Sequence, residues 1–302
     1  MLPMSSVRFG TPGATLAGLL RLPQGSRPPY PVIVQGPGWL GLAGTRSYRP
    51  YHQAFTAAGL AVLVFDYRGF GDSEGDATVL DPAAQVEDWL EAVAYCADHP
   101  ELDAGRLGVF GSGGTGGGNA LEVAARDGRV RAVVAQVPIA DGEDWLRRQR
   151  SAEEWRSFRA QVEQHPARLV RARGELAIVG GDRAGWKQDV EGRVPELVAL
   201  ASAGALIRYR PIDAVGRIAP RATMIVAVED DEVTPTDHAL ALFEAAGEPK
   251  RLVLQRGTTH YRAYADHRHV VLPMMVRWFE RHLLGYADGV DHDAVIMVGT
   301  GL

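Results

Sequence analysis

Short apolar runs alternate with longer amphipathic segments along most of the chain, and this alternation restricts the possible folds more than any other feature. Strand-like runs lie at 7–9, 15–22, 31–35, 61–65, 106–110, 130–137, 222–228 and 251–255. Helix-like segments lie at 46–58, 83–97, from about 116, and at 268–284. Continuous apolar strands separated by helices predict a mainly parallel α/β sheet covered on both faces. The first two runs predict an opening antiparallel pair.

The alternation stops at about Asp141 and resumes near 222. The segment between them, 142–217, is helix-rich and has no strand-like run of comparable strength. Its helical periodicity is visible at 152–170 and 194–209. We therefore predict an inserted helical cap at 142–217, after the sixth strand, and a core formed by 1–141 and 218–302.

Charged and aromatic side chains of the predicted cap have two interpretations each. The arginines are expected on a solvated helix face, although they could attract an anionic substrate; they are Arg147, Arg148 and Arg150. The tryptophans either form the cap's own core or line an apolar pocket; they are Trp145, Trp155 and Trp186.

Composition excludes several classes of protein. With 302 residues, 46% of them hydrophobic, the chain can bury a sizeable core in one large domain with an insertion, or in two domains. A net charge of −5 and a pI near 6.0 give no reason to expect nucleic acid. The single cysteine, Cys96, excludes an internal disulfide framework and is expected in the core.

Targeting and partner signals are equally sparse. The first residues have neither a basic region nor a long apolar run, and no apolar stretch reaches membrane-spanning length. We expect a cytoplasmic protein with a small-molecule substrate and without nucleic-acid or membrane partners. A homodimer is left open.

Three loops carry the residue types of acyl chemistry, and each follows a strand-like run. The loop at 111–118 reads Gly-Ser-Gly-Gly-Thr-Gly-Gly-Gly, and the loop at 229–235 reads Glu-Asp-Asp-Glu-Val-Thr-Pro. The third loop, at 256–261, reads Arg-Gly-Thr-Thr-His-Tyr. Because open α/β sheets place their sites at the carboxyl ends of parallel strands, we expect the three loops to meet at one edge of the sheet.

These loops resemble those of the α/β-hydrolase superfamily. The glycine turn resembles the nucleophile elbow Gly-x-Ser-x-(x)-Gly, and the turn at 66–73, Asp-Tyr-Arg-Gly-Phe-Gly-Asp-Ser, resembles the Asp-x-Arg-Gly-x-Gly-x-Ser turn. The chain order of nucleophile position, acid and histidine agrees. Within the superfamily the chain resembles cocaine-esterase and dienelactone-hydrolase-like bacterial enzymes, over nearly all of its length outside the cap. The resemblance implies an α/β-hydrolase fold and hydrolysis of an ester, amide or lactone without a cofactor.

The resemblance also implies a histidine–acid pair. His260 would be the catalytic base, held by a carboxylate that fixes its tautomer. Asp231 fits this role, because Asp231-Glu-Val-Thr-Pro matches the Asp-x-Val-x-Pro register of the family. Asp230 could replace it if the loop is shifted by one residue. The alternative interpretation of 229–232 is a solvated acidic turn.

An oxyanion hole would combine two backbone N–H groups. One belongs to Gly114, the residue after the nucleophile position, and the other to Trp39 in the loop at 35–41. Pro37 stands where similar enzymes carry histidine, and proline has no N–H. The alternative is an ordinary tight turn in which Trp39 covers the core.

The nucleophile itself is absent from the expected position. In the register set by Gly111 it belongs at position 113, which is Gly113. Glycine tolerates the positive φ of an elbow, so the fold should persist without the covalent chemistry. Ser112 and Thr115 are near in sequence, but neither occupies the tip of the turn. Three functions stay open: a serine hydrolase with a vacated nucleophile, a lyase, cyclase or water-activating enzyme that uses His260 and Asp231 alone, and a ligand-binding pseudoenzyme.

Two further patterns have ordinary explanations. The glycines at 111, 113 and 116 match a dinucleotide fingerprint, but at least three strands precede them and the ribose-binding acid is missing. The polar clusters at 266–269 and 288–293 suggest metal ligands, although a helix start and a polar tail explain them. We expect no metal and no cofactor.

Overall fold

A large, mostly parallel β-sheet forms the centre of the protein. The structure is a computed structural model, and it describes residues 4–11, 14–39, 41–172, 176, 193–286 and 294–299. Its strands are β1 (Met4–Thr11), β2 (Ala14–Arg21), β3 (Tyr30–Gly36), β4 (Ala61–Phe65), β5 (Leu102–Ser112), β6 (Val130–Gln136), β7 (Leu169–Arg171), β8 (Leu197–Ala199), β9 (Ala222–Val228), β10 (Lys250–Gln255) and β11 (Val295–Val298).

Nine of these described strands form the main sheet, in the order β1-β2-β4-β3-β5-β6-β9-β10-β11. Strand β2 runs antiparallel to both β1 and β4, and the other neighbours are parallel. The mainly parallel sheet predicted from the sequence is therefore confirmed. The crossover between β4 and β3 brings β5 to the middle, where its carboxyl end is surrounded by other strand ends.

Helices cover both faces of the sheet. The α-helices of the described residues are α1 (Arg49–Ala57), α2 (Pro82–Asp98), α3 (Gly114–Arg126), α4 (Gly142–Arg148), α5 (Ala152–Gln164), α6 (Ala201–Ile207), α7 (Ile212–Val215), α8 (Thr236–Ala245) and α9 (Arg268–Phe279). Among the described residues, no helix combines the length and the apolar character that crossing a bilayer requires.

The two faces of the sheet bury separate apolar clusters. Helices α2, α3 and α8 pack against one face, and α1 and α9 pack against the other. The period of two in a strand explains this division, because Val32 and Val34 belong to the first cluster and Ile33 to the second. Strands buried on both faces read as continuous apolar runs, which is the pattern seen in the sequence.

The last strand, β11, is missing from the sequence prediction. It pairs in parallel with β10 at the edge of the sheet, with Leu252 opposite Val295. Val295 and Met297 are exposed. With only four residues, the strand is too short to show a readable period.

The segment predicted as a helical cap contains four described helices and also two short strands. Strands β7 and β8 pair antiparallel, with Val170 opposite Val198, within stretches that were predicted to be helical. The prediction was wrong at these strands because a pairing between distant three-residue segments leaves no periodic pattern in either one. The division into a core and a cap at 142–217 stays a prediction.

Strand β5 and helix α3 approach each other more closely than side chains normally permit. A Cβ atom on Gly111 would lie 2.0 Å from the Gly116 carbonyl oxygen and 2.7 Å from the Ala120 Cβ. Because the first of these neighbours is backbone, rotating a side chain cannot relieve the clash. Glycine at position 111 therefore fixes how deeply α3 sits on the sheet.

Replacing Gly111 with alanine tests this close approach. We expect Gly111→Ala to lower the free energy of unfolding by about 3 kcal/mol, as overpacking of a tight contact does. Gly128→Ala is the matched control, because a Cβ at that glycine meets nothing within 4 Å. Chemical unfolding followed by circular dichroism compares the two variants. Equal stabilities would contradict a fixed distance between β5 and α3.

Candidate active site

The chain turns sharply from β5 into α3 at Gly113. Gly113 has φ 81° and ψ 167° and immediately precedes the first helical residue, Gly114. This is backbone that glycine enters without the steric penalty of a Cβ atom. The Gly117 N–H donates to the Gly113 carbonyl oxygen, with 2.7 Å between the two atoms. The tip of the turn thus has the geometry of an elbow but presents no side chain.

The two hydroxyl groups near the tip do not replace a nucleophile there. Ser112 is fully buried, and its hydroxyl donates to the Tyr48 hydroxyl at 2.9 Å. Thr115 is buried in the first turn of α3. Ser112 therefore forms part of the contact between β5 and the segment that leads into α1.

Two tyrosines lie beside the backbone of the turn. The Tyr264 hydroxyl is near the N–H of Gly113, and the Tyr48 hydroxyl, which accepts the Ser112 hydroxyl, is near the N–H of Gly38. Burial raises the pKa of both phenols, so each stays a neutral hydrogen-bonding group. Sequence reasoning missed both residues, because a tyrosine outside any motif carries no signal for such a contact.

Asp231 and His260 are joined by a short hydrogen bond. The distance from His260 Nδ1 to Asp231 Oδ2 is 2.8 Å, and both residues are buried. The other carboxylate oxygen, Oδ1, accepts the N–H groups of Val233 and Thr234 at 2.8 and 2.9 Å. Thr234 also donates its hydroxyl to Asp231 Oδ2 at 3.0 Å. Asp230 lies beside this pair in sequence, but it is exposed, with φ 56°.

These contacts keep the Asp231 carboxylate charged. Burial opposes ionisation, but the hydrogen bond and the charge of His260 outweigh it, together with the amides of Thr234 and Val233, and the pKa of Asp231 is lowered. A carboxylate at Nδ1 favours the tautomer with the proton on that nitrogen, which leaves Nε2 of His260 as a proton acceptor. The arrangement can orient a general base.

A hydrogen bond from a tyrosine holds the loop after β3 in place. The Tyr67 hydroxyl donates to the Pro37 carbonyl oxygen at 3.0 Å. Trp39 is 9% exposed, and its ring meets that of Trp145 edge to face, with 6.2 Å between centroids. Next to this loop, a Cβ on Gly114 would lie 3.0 Å from the methyl carbon of Thr234, so the loop with Asp231 packs against the start of α3.

The turn at 66–73 supports the site through backbone contacts. Asp66 Oδ1 accepts the N–H of Ala43 at 2.7 Å, and the Ser73 hydroxyl donates to the Asp66 carbonyl oxygen at 2.7 Å. Asp66 is 5% exposed, and burial raises its pKa. The motif therefore anchors the chain that follows Trp39.

The aromatic and basic residues of 142–217 separate into two groups. Trp145 contacts the core, whereas Trp155 packs against Phe158 within the segment, with 5.9 Å between ring centroids. Trp186 lies outside the described residues. The arginines interact within the protein: Arg147 and Arg148 with Asp144, Arg148 also with Asp237, and Arg150 with the ring of Phe158.

The first polar cluster considered for a metal has protein partners. The Asp266 carboxylate accepts the Thr258 hydroxyl at 2.7 Å, and His267 Nε2 lies 2.8 Å from the Arg256 carbonyl oxygen. The cluster at 288–293 lies outside the described residues. In the described part of the chain, no group of three or more His, Cys, Asp or Glu residues could hold a metal ion.

Sequence comparison places these features in a known context. Residues 13–262 match the sequence profile of the X-Pro dipeptidyl-peptidase (S15) family. The chain is 28% identical over 280 residues to an uncharacterized 31.7 kDa protein from the traX-finO intergenic region of Escherichia coli, covering 89% of this chain and 96% of that protein.

Two fungal proteins add named activities. The polyketide transferase grgF of a Penicillium species is 27% identical over 299 residues, covering 93% of this chain and 98% of that protein. The crystal structure of the α/β-hydrolase GrgF superposes with a TM-score of 0.75 at 26% identity, over 94% of this chain and 100% of that one. The thiohydrolase aneE of Aspergillus aculeatus is 25% identical over 230 residues, or 69% of this chain and 72% of that protein.

The charge of Asp231 links stability to pH. An unfolded aspartate has a pKa of about 3.9, and the folded value is lower, so the carboxylate stabilises the fold above that pH. This contribution is lost as the pH falls through the folded pKa. The difference in unfolding free energy between wild type and Asp231→Asn should therefore be largest near neutral pH and shrink below about pH 4.

The matched control for this experiment is Asp230→Asn. Asp230 is exposed, and asparagine tolerates its positive φ. Denaturant unfolding at a series of pH values should give Asp230→Asn the pH profile of the wild type. If Asp231→Asn lowered the free energy of unfolding equally at all pH values, the charge of Asp231 would not be what stabilises the fold.

Proposed function

Since the chain belongs to the X-Pro dipeptidyl-peptidase (S15) family of α/β-hydrolases, we propose that its site is built for serine-hydrolase-type hydrolysis of a carboxylic ester, amide or lactone. The observation that carries this proposal is the buried His260–Asp231 pair beside the elbow. Because Gly113 supplies no attacking atom, the chain would be weak or inactive as it stands. A small-molecule substrate, the cytoplasm and a homodimer stay predictions.

Each remaining group has a defined role in the proposed chemistry. His260 Nε2 accepts the proton of the attacking group, and Asp231 stabilises the imidazolium that results. The N–H groups of Gly114 and Trp39 are proposed to stabilise the negative oxygen of the tetrahedral intermediate. Such donors act without reorganisation because the backbone is already oriented. The Gly117 N–H donates to the Gly113 carbonyl oxygen at the elbow, and the Tyr67 hydroxyl donates to the Pro37 carbonyl oxygen in the other loop.

The expected loss of turnover without a nucleophile can be stated from other serine hydrolases. Removing the serine of a comparable triad lowers turnover roughly 10⁶-fold and leaves roughly 10³–10⁴-fold catalysis over water. With Gly113, the site would still bind substrate and polarise its carbonyl group. The names of the fungal relatives, a thiohydrolase and a polyketide transferase, support acyl chemistry as the ancestral activity.

A second candidate is a reaction that needs a base but no covalent nucleophile. It is favoured by the intact His260–Asp231 pair, which is retained although position 113 has no side chain. His260 would then activate water or abstract a proton from a bound substrate, as in a cofactor-free lyase or cyclase. Activity in the unaltered chain that is lost with His260→Gln would favour this candidate. Tight binding without any reaction dependent on His260 would favour a ligand-binding pseudoenzyme.

Gly113→Ser tests the hydrolase proposal directly. We expect this variant to hydrolyse activated esters with a burst of product, and to gain several orders of magnitude in rate over the unaltered chain. A fluorophosphonate should add one label, seen by intact mass. The new Cβ would lie 3.1 Å from the Gly38 Cα, so the loop must move by a few tenths of an ångström. With the positive φ, this costs about 1–3 kcal/mol of stability.

Gly113→Ala is the matched control, because it adds the same Cβ atom without a hydroxyl. It should share the stability loss of Gly113→Ser and show neither a burst nor a label. A folded Gly113→Ser protein that neither labels nor turns over any ester, amide or lactone would contradict the hydrolase proposal. The lyase or cyclase candidate would then lead.

A further inference from the structure

Helix α4 is held against the segment that follows Asp231. Asp144 Oδ2 lies 2.9 Å from His238 Nε2, and His238 Nδ1 accepts the N–H of Ala140 at 3.1 Å. Arg148 forms two hydrogen bonds with the Asp237 carboxylate, at 2.9 and 2.6 Å. The first helix of the 142–217 segment is therefore attached on both sides of its middle residue, Trp145.

Trp145 reaches Asp231 through a single peptide unit. Its indole N–H donates to the Val233 carbonyl oxygen at 2.7 Å. That carbonyl belongs to the same planar unit as the Thr234 N–H, which donates to Asp231 Oδ1 at 2.9 Å. Because the unit is rigid, holding its oxygen also aims its N–H at the carboxylate. Hydrogen bonds at both ends of one peptide also polarise each other.

The same peptide unit leads on to the histidine. The Thr234 hydroxyl lies 3.0 Å from Asp231 Oδ2 and 3.3 Å from His260 Nδ1. A shift of the Val233–Thr234 peptide would therefore move the partners of both members of the pair.

On its other side, Trp145 packs against the loop after β3. Its ring stands at 90° to that of Trp39, and the two indoles are 7% and 9% exposed. Trp39 supplies one of the proposed oxyanion-hole amides. Trp145 thus contacts both the loop with Val233 and the loop with Trp39. The proposed chemistry depends on the relative position of these two loops.

We propose that Trp145 is a positioning residue that sets the geometry of the His260–Asp231 pair and of the Trp39 loop from helix α4. This inference rests on the proposed function for its catalytic meaning, but the geometry it describes exists in the unaltered chain. A displacement of α4 is transmitted to Asp231 through the Val233–Thr234 peptide.

The experiment compares Trp145→Phe with Trp155→Phe. Trp155 is the matched control, because its ring packs against Phe158 within the 142–217 segment, with a tilt of 30° between the rings. In the unaltered Gly113 chain, the downfield proton resonance of His260 Nδ1–H, bonded to Asp231, reports the pair without any activity. Trp145→Phe is expected to shift this resonance upfield or broaden it, and Trp155→Phe is expected to leave it in place.

The same two substitutions are then made in Gly113→Ser. Trp145→Phe should lower kcat for an activated ester roughly ten- to a hundredfold, as misplacement of catalytic groups does, with KM little changed. Trp155→Phe should leave both constants near those of Gly113→Ser. If Trp145→Phe does not fold, β-(3-benzothienyl)alanine at position 145 keeps the ring shape and removes only the N–H.

An unchanged His260 resonance in the Trp145 variants would overturn the inference, and so would equal effects of the Trp145 and Trp155 substitutions. An inactive Gly113→Ser protein in which Trp145→Phe still displaces the resonance would count against the proposed hydrolase and support the positioning role. The two failures are therefore distinguishable.

Discussion

The closeness with which α3 approaches its surroundings determines the arrangement of the whole site. At three successive glycines of this helix, the absence of a side chain lets a different part of the protein come close to the helix. A Cβ on Gly116 would lie 2.6 Å from the Pro37 carbonyl oxygen, one on Gly117 would lie 3.0 Å from the Pro138 Cβ, and one on Gly118 would lie 2.3 Å from the Tyr209 hydroxyl. The loop after β3, the loop after β6 and the end of the 142–217 segment therefore all meet the first turns of α3.

A buried hydrogen-bond network makes this close packing rigid. The Tyr67 hydroxyl donates to Pro37 and accepts the indole N–H of Trp89 at 2.9 Å. Asn119 donates to the same hydroxyl at 3.3 Å and accepts the Tyr209 hydroxyl at 2.8 Å. Satisfied polar groups in a low-dielectric interior fix one arrangement, because any alternative would leave buried donors unpaired. The loop proposed to supply an oxyanion amide is thus tied to the same elements as α3.

At the elbow, the shape of the backbone turn and the covalent step of a serine hydrolase depend on different atoms. Close contacts of backbone and glycine maintain the turn, while the covalent step of a serine hydrolase needs one side-chain oxygen at its tip. Gly113 lowers the strain of a positive φ and removes that oxygen. Asp231 and His260 are hydrogen-bonded to each other in this chain, in which the tip of the turn carries no side chain. The contacts that form the turn and the pair therefore do not depend on a side chain at position 113.

Chain order and local pattern were enough to predict the sheet, its opening antiparallel pair and the three loops at its carboxyl edge. The family resemblance placed the tip of the elbow at position 113 and favoured Asp231 over its neighbour. In the structure Gly113 forms the turn before α3, and Asp231 contacts His260. These features are local, since strand periodicity and short motifs are written in consecutive residues.

Only the tertiary structure decided the rest. The edge strand β11, the pairing of β7 with β8, and the contacts of Tyr48 and Trp145 join segments far apart in the chain. No period or spacing encodes such a contact, because it depends on where two distant backbones come together. The sequence therefore determined the sheet and the chemical groups at its edge, whereas the tertiary packing determined which side chains hold those groups in place.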